Sequence, residues 1–134
     1  YLSAQIALYS SANGDKKNAQ NFAKQAQNAR NRILTESSVN VNYWRTAGKT
    51  DYLLSLVFTD DDKKSKSFFN AALKDFEQAQ KIAPTDPRNF YAEALLQSES
   101  NKEKAVQLLN KTLQLKRDYP DAEKYLQQLQ KSVN

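Results

Sequence analysis

Neither cysteine nor histidine occurs anywhere in the 134 residues, and this excludes whole classes of chemistry. A zinc finger, a thiol nucleophile, a Cys–His dyad and a Ser-His-Asp triad cannot be built within this chain. No disulfide framework is available, and a cysteine-free chain is compatible with either redox compartment. The 2 glycines and 3 prolines are too few to punctuate the many turns of an all-β sandwich or barrel. No run approaches the roughly 18–20 apolar residues of a transmembrane helix. The first residues also lack the basic start and apolar core of a signal peptide. Methionine is absent and position 1 is Tyr. We therefore expect a processed product or a piece of a longer chain, with any membrane attachment in a segment outside this one.

Ala, Leu, Gln, Lys and Glu are plentiful, with 40% hydrophobic and 26% charged residues, which is the composition of a folded helical protein. The length suits one compact domain, 1–134. Twenty Lys and Arg against 15 Asp and Glu leave a formal charge of +5. The basic residues are interleaved with acids, as in Lys102, Glu103 and Lys104 or Lys116, Arg117 and Asp118. That pattern reads as solvated faces, and a nucleic-acid partner is not expected.

Hydrophobic spacing and capping residues predict seven helices. Leu2, Ile6, Leu8 and Tyr9 lie on the first, which Asn13-Gly14-Asp15 ends. Ala19, Phe22, Ala23, Ala26, Ala29 and Ile33 form a stripe on a second helix reaching about Thr35. Val39 to Phe58 reads as a third, with Val41, Trp44, Ala47, Gly48, Tyr52 and Leu56 recurring. The cluster Thr59-Asp60-Asp61-Asp62 precedes a fourth pattern, Phe68, Phe69, Ala72, Leu73, Phe76, Ala79 and Ala83, stopped by Pro84. The cluster suits helix capping, and it lacks the sixth-position glycine and terminal Glu of an EF-hand calcium loop. Asp86-Pro87 opens a fifth helix to about Ser98, and Ser100-Asn101 turns into a sixth with Ala105, Leu108, Leu109, Thr112, Leu113 and Leu115. Tyr119-Pro120-Asp121 starts the last, with Ala122, Tyr125, Leu126, Leu129 and Val133 on one face.

Trp44 stands four residues before Gly48, and Ala72, Phe76 and Pro84 follow at spacings of four and eight. With Ala79, Ala105 and Leu109 at matching positions, this pattern resembles the tetratricopeptide repeat, a 34-residue helix pair. The resemblance implies an all-α, right-handed solenoid of about three helix pairs plus a C-terminal capping helix. Its units would be 1–36, truncated and irregular, 39–84, long, 85–117, and the terminal helix 119–134. About a dozen residues between Tyr52 and Phe68 exceed the usual repeat length. Val39 to Thr46, with Tyr52 to Ser55 and Ala83 to Pro87, also looks like the repeat tail of bacterial O-antigen ligase and polymerase-like membrane proteins. That likeness implies a bacterial envelope or extracellular setting, with any glycan chemistry in a membrane part outside this chain.

In such repeats the first helices line a groove that receives a peptide. The register of Trp44 and Gly48 assigns Asn42, Arg45, Lys49 and Tyr52 to it, joined by Phe90, Ala94 and Gln97. Arg45 and Lys49 beside an aromatic suit an anionic protein or peptide partner, although the Asn of the family's carboxylate clamp is missing. A solvated pair of like charge is the alternative. The tyrosines would serve either as a stacking row or as core edges with hydroxyls in water. Asn110-Lys111-Thr112 matches a glycosylation acceptor but falls within a helix. Carboxylate pairs such as Glu99 with Glu103, or Asp75 with Glu77, have no pocket-forming context, and no cofactor or metal is expected. The expected function is a non-catalytic interaction scaffold. The alternative is a self-assembling protein whose exposed apolar ends, Leu2, Ile6 and Leu8, join copies.

Overall fold

The computed structural model describes residues 1–131, and these are all-helical, with seven helices and no strand among the described residues. They are α1 (Leu2–Ala12), α2 (Lys16–Glu36), α3 (Val41–Val57), α4 (Asp62–Ile82), α5 (Pro87–Ser100), α6 (Lys102–Leu115) and α7 (Pro120–Lys131). Val133, expected on the apolar face of the last helix, lies outside the described residues. The helices gather into two compact units, Tyr1–Gln78 and one beginning at Ala79.

Local chemistry sets the helix ends. Gly14 adopts φ +77°, a conformation costly for other residues, and so turns the chain between α1 and α2. Asp15 caps α2 by accepting from the Asn18 amide at 3.1 Å. Asn40, Asp86 and Asn101 cap α3, α5 and α6 in the same way, and Pro87 occupies the first turn of α5, where its missing N–H costs nothing. Asp61 of the acidic cluster accepts from the Lys64 amide at 3.0 Å, so it caps α4.

The residues expected as an insertion between Tyr52 and Phe68 extend helices: α3 runs 17 residues and α4 runs 21, joined by a short turn. Helix α3 begins two residues later than the pattern predicted. Asn40 takes the cap, and Val39 is left 77% exposed.

In the first unit, α1 packs on α2 and α3, and α2 packs on α3. Ala4 and Ala7 of α1, Ala19, Ala23 and Ala26 of α2, and Leu54 and Val57 of α3 form its core, flanked by Leu8, Phe22, Leu53, Phe58 and Phe68. Alanine on these faces brings the helix axes close. Helix α4 packs on α3 at Gly48, where an added Cβ would lie 2.8 Å from the fully buried Phe76 ring. Further along, Phe58 and Phe68 stack with centroids 5.6 Å apart, and Ser65 donates to the Ser55 carbonyl. Trp44 donates its indole N–H to the Ser38 carbonyl at 2.7 Å, fixing the α2–α3 corner. Two stripe positions face outward: Ala29 and Leu56 are exposed because the helix faces rotate past the core there. Leu8, expected at an apolar end, packs against the core instead, while Leu2 and Tyr9 are the exposed large side chains of α1.

In the second unit, α5 packs on α6 and α6 on α7. Ala94, Leu108, Leu109 and Ala122 form its core, ringed by Phe90, Tyr91, Leu113, Tyr119, Tyr125, Leu126 and Leu129. Tyr91 and Tyr119 meet at 5.1 Å between centroids, so these tyrosines are core edges. Burial is the leading cause that raises the Tyr91 hydroxyl pKa. The fully buried Asn89 donates to the Ala79 and Ala83 carbonyls, both at 3.0 Å, and so satisfies the end of α4. Pro84 follows that end after one intervening residue, Ala83. Ala72, Ala79 and Ala105 are fully buried.

Candidate functional site

The residues assigned to a groove belong to different units, and each set stands by itself. On α3, Asn42 and Lys49 are exposed and Tyr52 is half-buried. Arg45 is only 9% exposed, and its guanidinium donates to the Asn42 side-chain oxygen. The two cations of the expected pair thus occupy different environments, one engaged on its own helix and one in water. On α5, Phe90 and Gln97 are half-buried, and Ala94 is fully buried within the second core. One turn before Gln97, Glu93 is 2% exposed and accepts from the Gln80 amide.

Asn110 is exposed on α6, and Thr112 is buried with its hydroxyl bonded to the Leu108 carbonyl. Among the described residues no group of three His, Cys, Asp or Glu converges to hold a metal.

A different constellation lies inside the first unit. Arg30 of α2 reaches two carboxylates, Asp51 of α3 and Asp75 of α4, each 3% exposed. Its Nη2 donates to both Asp75 oxygens at 2.8 and 2.7 Å. Its Nε lies 3.1 Å from Asp51 Oδ2, close enough for an ion pair, yet its N–H does not align into a hydrogen bond. One cation therefore serves two buried anions.

Burial is the leading cause that pushes Asp51 up to about 7. Arg30 opposes the shift and Asp75 adds to it. Burial raises Asp75 too, against the pull of Arg30. Asp75, read from the sequence only as half of a carboxylate pair with Glu77 without pocket-forming context, is thus a core residue, while Glu77 is exposed.

The spacing holds a signal that would have placed this cluster. Arg30 sits four residues after Ala26, Asp51 lies between Ala47 and Leu54, and Asp75 lies between Ala72 and Ala79. All three charges thus occupy core register on three successive helices. A stripe traced only through apolar residues passes over them.

A carboxyl whose pKa is higher in the folded chain than in the unfolded one binds the extra proton in the interval between the two values. Its contribution to stability is full below about pH 4, the unfolded value, and is lost as pH rises through about 7. Urea unfolding midpoints between pH 5 and pH 8 are therefore expected to fall with rising pH, and Asp51→Asn is expected to flatten that slope. An unchanged slope in the variant would place the titrating group elsewhere.

Two openings adjoin these elements. A cleft of about 460 Å³ is bordered by Leu8, Ala19, Val57 and Phe58 with Lys16, Lys64, Asp60 and Asp61 at its mouth. Both of its lysines have partners: Lys16 pairs with Asp60 at 3.5 Å, and Lys64 sits 3.7 Å over the Phe58 ring. A smaller cavity of about 250 Å³ opens onto Arg30 and Asp51, walled by Gln27, Asn31, Ser67, Phe68 and Ala71. No helix among the described residues is long and apolar enough to cross a membrane.

Comparison with protein-family models finds none that matches this chain, and a search of curated proteins finds no significant relative.

Proposed function

We propose that the chain is a non-catalytic protein–protein interaction scaffold, a right-handed solenoid of about three tetratricopeptide-like helix pairs with a terminal capping helix. On this reading it is the extramembrane part of a larger bacterial envelope protein. The observation that carries the proposal is the seating of Gly48 against Phe76. These residues came from the repeat pattern as the small position of a first helix and the aromatic of its partner, and they touch. In a pair of that type the first helix presents its remaining face to a ligand, which on α3 means Asn42, Lys49 and Tyr52.

Site-specific photo-crosslinking in the natural full-length protein tests this. A crosslinker at Lys49, Tyr52 or Gln97 is expected to trap a second polypeptide, and one at the exposed Glu77 or Lys111 is not. Equal yields at all five positions would remove the groove assignment.

Exposure on α1 favours a second reading, self-assembly. Leu2 is 69% and Tyr9 73% exposed on a helix that carries no charged residue. If copies join through that face, sedimentation is expected to show a concentration-dependent dimer that Leu2→Ser with Tyr9→Ser abolishes. A wild-type chain that stays monomeric at millimolar concentration would exclude it.

A further inference from the structure

Asp51 of α3 and Asp75 of α4 are each 3% exposed, and their carboxyl groups are hydrogen-bonded to each other. An ionised carboxylate only accepts hydrogen bonds, so a bond between two carboxyl groups requires a proton on one of them. Arg30 places Nη2 on both Asp75 oxygens, at 2.8 and 2.7 Å, while its Nε, 3.1 Å from Asp51 Oδ2, makes no aligned bond. Asp75 is therefore the anion of the cluster, and the proton belongs on Asp51, whose O–H donates to Asp75. In that state one guanidinium balances one carboxylate and the interior is neutral.

Without the proton, two like charges face each other beside a single cation. The charged groups facing Asp51 are Arg30 from α2 and Asp75 from α4, and the remaining charged residues of those two helices are exposed. Helix α1, also packed on α3, brings only Tyr9, which is 73% exposed. On α3 itself Lys49 is exposed and Arg45 is bonded to Asn42. The cavity of about 250 Å³ that opens onto Arg30 and Asp51 is otherwise walled by the uncharged Gln27, Asn31, Ser67, Phe68 and Ala71. No side chain stands ready to neutralise a second negative charge, and water entering past the polar Gln27, Asn31 and Ser67 is what can solvate it.

We propose that the proton shared by Asp51 and Asp75 is a latch. While it bridges them, α2, α3 and α4 stay closed around the cavity; when it leaves to water, the second buried charge draws water into the cavity and the three helices loosen together with their helical structure kept. Burial raises Asp51 to about 7, with Asp75 adding to the shift, so the latch holds in mildly acidic solution and opens as pH rises through about 7. The latch shares no residue with the groove of the proposed function, and the two readings fail separately.

Two measurements on the folded chain test it. Carboxyl-carbon NMR of the chain labelled with carbon-13 aspartate reads the proton: one aspartate is expected to titrate near pH 7, and Asp51→Asn is expected to remove that transition. Titration of every aspartate below about pH 5 would overturn the proposal. The opening is read through a single introduced thiol, since the chain has no cysteine of its own. Ala71→Cys places it in the cavity wall, and Glu77→Cys is the exposed reference on the same helix. The ratio of their iodoacetamide labelling rates, wall over reference and each corrected for that thiol's own titration, is expected to rise about tenfold from pH 6 to pH 8, as the ionised fraction of Asp51 goes from about one-tenth to about nine-tenths. Adding Asp51→Asn is expected to hold the ratio at its pH 6 value, because the amide donates to Asp75 as the carboxyl does and cannot ionise. A ratio that stays constant in the single-thiol chains, or that rises equally with folded Asp51→Asn, would overturn the latch. So would loss of helical circular dichroism at pH 8, since the chain would then unfold as a whole. The NMR titration uses the unaltered chain and stands even if a variant does not fold.

Discussion

Arg30→Ala is expected to destabilise the folded chain by about 3–5 kcal/mol at pH 8, since it leaves two carboxylates buried without their cation. The loss is expected to shrink toward pH 5, because protonating Asp51, which burial pushes up to about 7, removes part of the charge that arginine would have balanced. Both groups are already poised for this, with burial raising their pKa values. Arg30→Met keeps most of the alkyl stem, so comparing the two variants separates lost packing from lost charge. Replacing all three residues by apolar ones of similar volume is expected to be near neutral or stabilising. Urea unfolding at pH 8 and pH 5 reads every arm, and an Arg30→Ala variant within about 1 kcal/mol of wild type at both would show that the cluster contributes little.

The second large effect centres on Phe76 and Gly48. Phe76 is fully buried, and its truncation to alanine opens a ring-sized void in the first unit, at an expected cost of about 3–5 kcal/mol. The opposite error, filling space that does not exist, arises at Gly48, where a Cβ meets the ring at 2.8 Å. Gly48→Val is expected to cost about 1–3 kcal/mol or more through overpacking. Gly48→Ala gains up to about 1 kcal/mol of helix propensity, which offsets part of the same clash. Pairing Gly48→Ala with Phe76→Leu is expected to be less destabilising than the sum of the single changes, because the smaller side chain vacates the contested space. Strict additivity in that cycle would mean that the two residues do not compete for one volume.

The helices were legible because their ends carry distinct chemistry. Asp15, Asp86 and Asn101 accept from the second or third amide of the helix that each caps, and Gly14 takes a backbone conformation that few other residues tolerate. The third helix was harder. Val39 extends its apolar pattern, yet Asn40 offers the better cap, and the valine is left in water. Spacing named Trp44, Gly48, Ala72, Phe76, Ala79, Pro84, Ala105 and Leu109 as packing residues; six of them are buried, while Trp44 is half-buried at the α2–α3 corner and Pro84 is exposed in the turn after α4.

The candidate groove was less legible, because side-chain direction depends on partners that spacing does not specify. Arg45 turns to Asn42 on its own helix, while Lys49, one turn later, stays in water. The charged cluster stayed hidden for a different reason: a pattern that treats charge as surface assigns Arg30 and Asp75 outward, although their alanine neighbours lie in the core. Only the pairing of opposite charges on three helices makes that burial tolerable, and pairing is a property of the assembled chain.

The reach of Arg30 also bears on how the first unit comes apart. Stacked helices usually fray one at a time, each resting mainly on its neighbour. Here one side chain on α2 is anchored to α3 and to α4, so peeling α4 away would strand the guanidinium with the wrong partner, and peeling α2 away would leave two carboxylates facing each other. These three helices are therefore expected to open together as one cooperative block instead of unravelling from one edge.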